Sequence, residues 1–317
     1  MFKGIVFAIA ACFIWGLIYV VPQFMNGFTS IEVVLGRYSM YGLISSLIFL
    51  KSKIKGTCSY PRAIWIKALF FSLIITIGYY TFVVLSLRFS SPAICTLVLG
   101  ISPIAIAFYG NWKQKETSFK SLIIPSFLIL IGLLIINSEY FEKSDSLYSY
   151  ILGIVCCILA LIAWSWYVVA NSRFLKQHPE IRSSDWSTLV GLSTLFWVFV
   201  FIIFLTMFFK NQFHFNKFFV PGPDLTHFLI GSILLGLLCS WVGAYLWNKA
   251  SLLLPVSLAG QLTIFETIFG ILFVYIIERH RPPIVESLGV IVLIAAIVYG
   301  VRGFYKNKTF DNQLTPD

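Results

Sequence analysis

The chain has 317 residues, of which 59% are hydrophobic and 11% charged, with 31 Phe and a net charge of +10. A soluble domain carries roughly 25% charged residues, and here the apolar residues come in blocks of about 20 separated by short polar clusters. That pattern describes a polytopic helical membrane protein. The positive balance then reflects basic loops at a membrane surface, not a nucleic-acid partner.

The expected fold is all-α and integral to the membrane, with ten transmembrane helices. The spanning segments fall at about 4–24, 30–50, 64–87, 92–111, 119–137, 149–171, 186–209, 227–248, 256–277 and 284–303. The connections are short and leave no room for a soluble domain. Ile9-Ala10-Ala11-Cys12 loosely resembles a lipoprotein cleavage box, but the n-region holds only Lys3 and the apolar run continues past Cys12, so an uncleaved first helix is expected. Five of the six cysteines lie in apolar segments, none forms a CxxC, and the four histidines form no HxxxH pair. No metal and no cofactor are therefore expected.

Basic residues set the orientation. With the N-terminus inside, Arg88, Lys143, Lys210, Lys217, Arg279 and Arg281 fall outside and Arg37 lies within segment 2; the other 16 of the 23 Lys and Arg fall inside. The bias places both termini in the cytoplasm, in a multi-pass cytoplasmic (inner) membrane protein.

The two halves echo each other. Gly4-Ile5-Val6 and Trp15 match Gly153-Ile154-Val155 and Trp164; Ser91-Pro92-Ala93 matches Leu254-Pro255-Val256, which aligns Pro103 with Glu266. The expected division is a five-helix repeat over 1–140, a second over 148–305 and a polar tail over 306–317. Five is odd, so the second repeat enters the membrane from the opposite side. Inverted repeats of this kind are typical of secondary transporters, whose substrate site lies near the midplane.

Several short motifs point the same way. Trp15-Gly16, Gly36-Arg37-Tyr38, Ser102-Pro103 and Phe265-Glu266 sit in segments 1, 2, 4 and 9, and Glu116 and Glu278 follow segments 4 and 9. In order and spacing the chain resembles the ten-helix proteins of the drug/metabolite transporter superfamily that carry two EamA repeats, over about residues 1–305. It departs at Lys115-Glu116-Thr117, which lacks the usual glycine before the acid, and in the Trp and Tyr content of segment 8. The resemblance implies a central cavity lined by segments 1–4 and 6–9, peripheral segments 5 and 10, and alternating access. Such proteins move amino acids, nucleotide-linked sugars, nucleosides and similar metabolites.

The candidate site centres on Glu266. It is ten residues into segment 9, about 15 Å deep, and Arg37 is about 10 Å deep from the outer side. An intramembrane charge is costly and marks a functional site by default. The pair could hold opposite ends of a zwitterion, or Glu266 could carry a coupling proton; the alternative is a structural ion pair. Trp15 and Trp164 fall near mid-membrane, away from the interfacial belts, and could clasp an aromatic or cationic substrate or simply pack together. Tyr19, Tyr79, Trp241 and Gln261 are further candidates, with Gln261 sharing the Glu266 cavity. Pro103 and Gly100 are the expected hinge, since the proline frees a carbonyl one turn earlier. Asn171 reads as a cytoplasmic cap, Asn248 as a segment end at the inner surface, and Tyr245 and Trp247 as interfacial anchors.

Three functions compete. The first is a secondary transporter of a small polar metabolite, most plausibly an amino acid or nucleoside-like compound. The second is proton-coupled multidrug export, disfavoured because segment 1 lacks the acid that small multidrug exporters of the superfamily carry. The third is an intramembrane enzyme or sensor, for which there is no HExxH, no paired intramembrane carboxylates and no nucleophile elbow. The expected partners are a small-molecule substrate and the lipid bilayer, with proton coupling left open and a monomer as the working expectation.

Overall fold

The computed structural model describes residues 1–54, 60–89, 92–138, 147–208, 215–218, 221–279 and 281–314. Cys58, His214 and His280, and the basic residues Lys55, Lys143 and Lys210, lie outside them. The described chain is helical throughout, with ten helices long and apolar enough to cross a membrane. They are Phe2–Phe24, Ser30–Ser52, Arg62–Leu87, Cys95–Gln114, Phe119–Asn137, Tyr150–Gln177, Ser183–Phe208, Pro223–Leu253, Val256–Glu278 and Ile284–Phe304, which we call segments 1 to 10. The helix containing segment 10 continues to Leu314, through most of the expected polar tail.

Helix is the outcome because the apolar runs must satisfy every backbone N–H and C=O internally. Large side chains such as Leu47, Phe127, Ile162, Phe199 and Ile291 are exposed on the outer faces of the bundle, as a hydrocarbon solvent allows. Where polar chemistry appears, it does defined work. Thr29 and Glu32 form a reciprocal capping box at the start of segment 2: Thr29 N–H donates to Glu32 Oε2 at 2.7 Å and Glu32 N–H to Thr29 Oγ1 at 3.4 Å. Lys217 then donates to the same carboxylate oxygen at 2.6 Å.

Five of the ten segments are not regular α-helices: segment 1 ends in 3-10 turns at Leu17–Tyr19 and Val21–Phe24, and the irregularities of the other four come in pairs. Segment 3 contains a π-helical stretch at Leu73–Gly78 and segment 8 one at Leu235–Val242. Segment 4 breaks between Pro92–Gly100 and Ser102–Gln114, and segment 9 between Val256–Leu262 and Ile264–Glu278. Among the described residues the two positive-φ non-glycine residues are Lys115 at φ 50° and Arg279 at φ 56°, each capping the end of a broken helix. In every pair the second member lies about 163 residues after the first, the offset of the sequence repeat.

The broken segments 4 and 9 lie together at one end and part at the other. The first half of segment 9 runs along the second half of segment 4, where a Cβ at Gly110 would meet Val256 and one at Gly260 would meet Ile106 and the Ala107 backbone. Small residues let the two backbones approach. The remaining halves have different neighbours: Pro92–Gly100 packs on segments 5 and 6, and Ile264–Glu278 packs on segment 1. Segments 5 and 10 pair antiparallel along their length, joined at Gly132 and Gly289.

That pairing is a point of weakness that can be measured. A Cβ at Gly132 would lie 2.6 Å from Leu293 Cδ2 and 3.1 Å from the Gly289 carbonyl oxygen. Gly132→Val should destabilise the purified protein by about 1–3 kcal/mol, read as a lowered thermal midpoint in detergent, whereas Gly303→Val, with nothing within 4 Å, should leave the midpoint unchanged.

Candidate functional site

The break in segment 9 comes from Thr263, a residue that competes for its own backbone. Its Oγ1 donates to the Gly260 carbonyl at 2.6 Å, its N–H turns to Gly260 at 3.2 Å, and Glu266 N–H donates to the Thr263 carbonyl at 3.0 Å. The helix restarts at Ile264, so Glu266 stands in the first turn of a new helix, next to its positive dipole end. In segment 4 the corresponding turn holds Pro103, which is buried behind the break at Ile101.

Glu266 is half-buried at mid-span. It lies within electrostatic reach of Arg37, Tyr19, Tyr79, Cys12 and Cys239, from segments 1, 2, 3 and 8. Arg37 is also half-buried, and its Nε donates to Ser240 Oγ at 2.9 Å in the π-helical stretch of segment 8. Among the described residues the Glu266 carboxylate makes no ion pair within 4.0 Å, with Arg37 or any other cation. The two charges do not close on each other. Tyr19, which packs over Gly270 in a 3-10 turn of segment 1, is 44% exposed and in electrostatic reach of the same carboxylate.

Trp15 and Trp164 do meet. Their ring centroids are 6.1 Å apart and edge to face, with Trp247 5.4 Å from Trp15, and Tyr79 and Tyr167 5.7 and 6.1 Å from Trp164. Rings in direct contact leave no slot between them, so the two tryptophans form a wall or floor and not a two-sided clasp. Trp15 also ties segment 1 to segment 8, donating from Nε1 to the Cys239 carbonyl at 2.9 Å, while Cys239 Sγ bonds the Ile14 carbonyl at 3.2 Å. Trp241 stands apart, stacked on Tyr245 and donating to Thr188 Oγ1 at 3.1 Å.

Four expectations change. Gln261 does not point toward Glu266: it is 1% exposed and faces Gly300 of segment 10, with Pro125 of segment 5 beside it. Five residues on a helix turn a side chain by about 140°, and the break adds to that. Gly100 gives a close approach to segment 5, packing on Leu133. Trp247 is 2% exposed against Trp15, not an interfacial anchor. Asn171 and Asn248 are fully buried in one network: Trp186 Nε1 donates to Asn171 Oδ1 at 2.7 Å, Asn171 Nδ2 to Asn248 Oδ1 at 2.9 Å, and Asn248 Nδ2 to Ser187 Oγ at 3.0 Å.

The sequence reading also missed a clasp at the end where segments 4 and 9 meet. Glu116 accepts from Val256 N–H at 2.6 Å and from Ser257 N–H and Oγ at 2.8 and 2.6 Å, capping segment 9 from the end of segment 4. Lys176 of segment 6 lies 3.7 Å from Glu116 and donates to the Leu254 carbonyl at 2.9 Å. The repeat mate, Glu278, is exposed at the opposite end. The pairing of Glu116 with Glu278 was visible in the repeat; its bonds from Val256 and Ser257 needed the packing of segments 4 and 9.

A bundle of ten apolar helices, with paired helix breaks and opposed charges at mid-span, defines a membrane transporter, and the comparisons agree. The profile of the EamA-like transporter family matches residues 2–138 and again 151–301, so the chain belongs to that family. It is 27% identical to Inner membrane protein YtfF of Escherichia coli (strain K12) over 310 residues, 95% of this chain and 96% of the relative. It is 20% identical to Uncharacterized transporter YyaM of Bacillus subtilis (strain 168) over 118 residues, 37% and 39% of the two chains. A solved crystal structure superposes with a TM-score of 0.73, covering 94% of this chain and 98% of that one at 14% identity, which establishes a shared fold.

Two substitutions test the site's framework. Trp15→Phe keeps a ring but leaves the buried Cys239 carbonyl without the indole donor, and should lower stability by about 1–3 kcal/mol in a detergent melt. Glu116→Ala removes three bonds that hold the start of segment 9, and should raise the labelling rate of a cysteine placed at Ser257 by a membrane-impermeant thiol reagent relative to that of the Ser257→Cys single variant.

Proposed function

We propose that this transporter carries a small polar metabolite, an amino acid or nucleoside-like compound and by its charges foremost a zwitterionic amino acid, across the cytoplasmic membrane by alternating access between two inverted repeats. The observation that carries the reading is the Glu266–Arg37 pair: opposite charges at mid-span, in each other's field, neither engaged by the other. A buried charge without its own partner is expensive. A ligand with an ammonium group and a carboxylate would supply both missing partners. Tyr19, Tyr79 and the Trp15–Trp164 wall would bound its side chain.

The family match over both halves, and the paired π-helical stretches, breaks and left-handed caps, support the repeats 1–140 and 148–305. The contact of segments 4 and 9 at the Glu116 end, and their divergence at the Glu278 end, support a state closed at the former and open at the latter. The basic-residue bias supports a cytoplasmic closed end, and the inner-membrane name of the YtfF relative fits the location. On the second reading Glu266 exchanges a proton with the cargo, as in an exporter driven by the proton gradient; its carboxylate, half-buried and without an ion-pair partner, favours it.

Uptake into proteoliposomes, with a panel of amino acids and nucleosides and with and without a pH gradient, separates the two. Substrate-dependent flux should fall at least about tenfold in Glu266→Gln and in Arg37→Gln, the loss of one charge-assisted contact each. If Glu266 is the proton carrier, Glu266→Gln retains exchange of cargo but loses the response to the gradient. Flux unchanged in Glu266→Gln would refute both roles.

A further inference from the structure

A second cluster of unspent charge lies outside this centre, at the Glu116 end of the bundle. Segment 3 packs closely on segment 6 through its far half, Tyr79–Phe89. Toward the other end the two separate and leave a cavity of about 400 Å³. Its walls include Lys67, Phe70 and Phe71 of segment 3, Tyr109 of segment 4, and Trp166 and Arg173 of segment 6. Lys67 is about one and a half turns from the start of segment 3 and Arg173 about one turn from the end of segment 6, so both cations stand at the rim.

We infer that this crevice is a binding site for the headgroup of an anionic phospholipid. Charge is the first argument. Lys67 and Arg173 line one cavity and both are exposed; among the described residues neither has a carboxylate within 4.0 Å. The acid nearest the rim, Glu180, is turned to His178, with its Oε1 2.9 Å from Nδ1. A phosphate suits the remaining pair, because a guanidinium offers it two parallel donors and an ammonium a point charge.

The apolar part of the crevice argues for a lipid over a soluble anion. Below Lys67 the wall continues with Phe70, 47% exposed, and Phe71. Below Arg173, Trp166 and Ile162 follow at spacings of seven and four residues, one face of segment 6. Trp166 is set edge-on to Phe70 and stacked on Phe71, each at 5.6 Å, which gives the crevice a rigid aromatic side. Cations at the rim and exposed apolar side chains leading toward mid-membrane match a phosphate above an acyl chain. Trp164, which meets Trp15 and Tyr79, is two residues and so about 160° round segment 6 from Trp166, and the rings of Tyr167 and Phe71, 5.9 Å apart, separate the two sites. Basic pockets between helices at the inner leaflet recognise lipid headgroups by this chemistry.

The full chain, purified and stripped of lipid in a mild detergent, should be titrated with phosphatidylglycerol, phosphatidylethanolamine and soluble glycerol phosphate. Bound lipid is read by native mass spectrometry and stabilisation by thermal melting. Phosphatidylglycerol should be retained and raise the melting midpoint, and phosphatidylethanolamine should do neither. The double variant Lys67→Gln/Arg173→Gln should bind phosphatidylglycerol on the order of tenfold or more weakly, while Lys113→Gln, outside the crevice at the same end, should bind it as the parent does. Arg173→Lys, which keeps the charge, should recover most of the affinity lost by Arg173→Gln and so separates binding from misfolding. Equal retention by the double variant and the parent would overturn the site. Stabilisation by glycerol phosphate equal to that by phosphatidylglycerol would overturn the lipid assignment in favour of a soluble anion.

Discussion

Inside a bilayer no water is on hand to complete a backbone hydrogen bond, so each departure from a regular α-helix must be answered by a side chain from somewhere else. Segment 1 gives much of that answer. Trp15 reaches the Cys239 carbonyl in the π-helical stretch of segment 8, and Cys12 approaches the Leu262 carbonyl at 3.5 Å beside the break in segment 9. Cys239 answers back to Ile14. One apolar helix thus supports the two irregular elements that present Glu266 and the Arg37 partner Ser240. The irregularity is what aims those groups inward, and the cross-ties keep it affordable.

The two ends of the bundle are built differently although the chain repeats itself. At one end a single carboxylate, Glu116, gathers two backbone donors, a hydroxyl and a nearby lysine, and the helices behind it touch through glycine. At the other end the corresponding helices go to different neighbours. The buried Trp186–Asn171–Asn248–Ser187 chain braces segments 6, 7 and 8 against one another, and segments 5 and 10 form a pair of their own. Polar side chains inside this protein therefore differ in kind: those of the Trp186–Asn171–Asn248–Ser187 chain are bonded to each other and brace, whereas the Glu266 carboxylate has no ion-pair partner among the described residues.

Much of the architecture could be read from residue types alone. Ten apolar blocks required ten helices, Glu266 and Arg37 stood out as charges at depth, and the spacing of Pro103 from Glu266 marked the position where both segments break. Trp15 and Trp164 were legible as partners because they occupy the same place in each repeat. What escaped was set by rotation and by packing. Gln261 lies five residues from Glu266 but on another side of the helix, and Thr263 breaks segment 9 without a proline, by bonding the Gly260 carbonyl twice. Trp247 and Asn248 looked interfacial because they are near the end of segment 8, yet segment 8 runs on to Leu253 and carries them into the core. The π-helical stretches leave no compositional trace, since Leu-Ile-Ile-Thr-Ile-Gly and Leu-Gly-Leu-Leu-Cys-Ser-Trp-Val are ordinary helix-compatible runs.

The separation between Arg37 and Glu266 has an electrical consequence. On the proposed reading, when both are ionised the pair adds no net charge to the mobile core, and a zwitterion seated between them would add none either. Carrying it across would then be electroneutral, and the membrane potential, which does work of about 2.3 kcal/mol per elementary charge per 100 mV, would neither drive nor oppose the step. Neutralising either residue ends that balance, leaving a carrier whose loaded form is charged and whose rate follows the voltage.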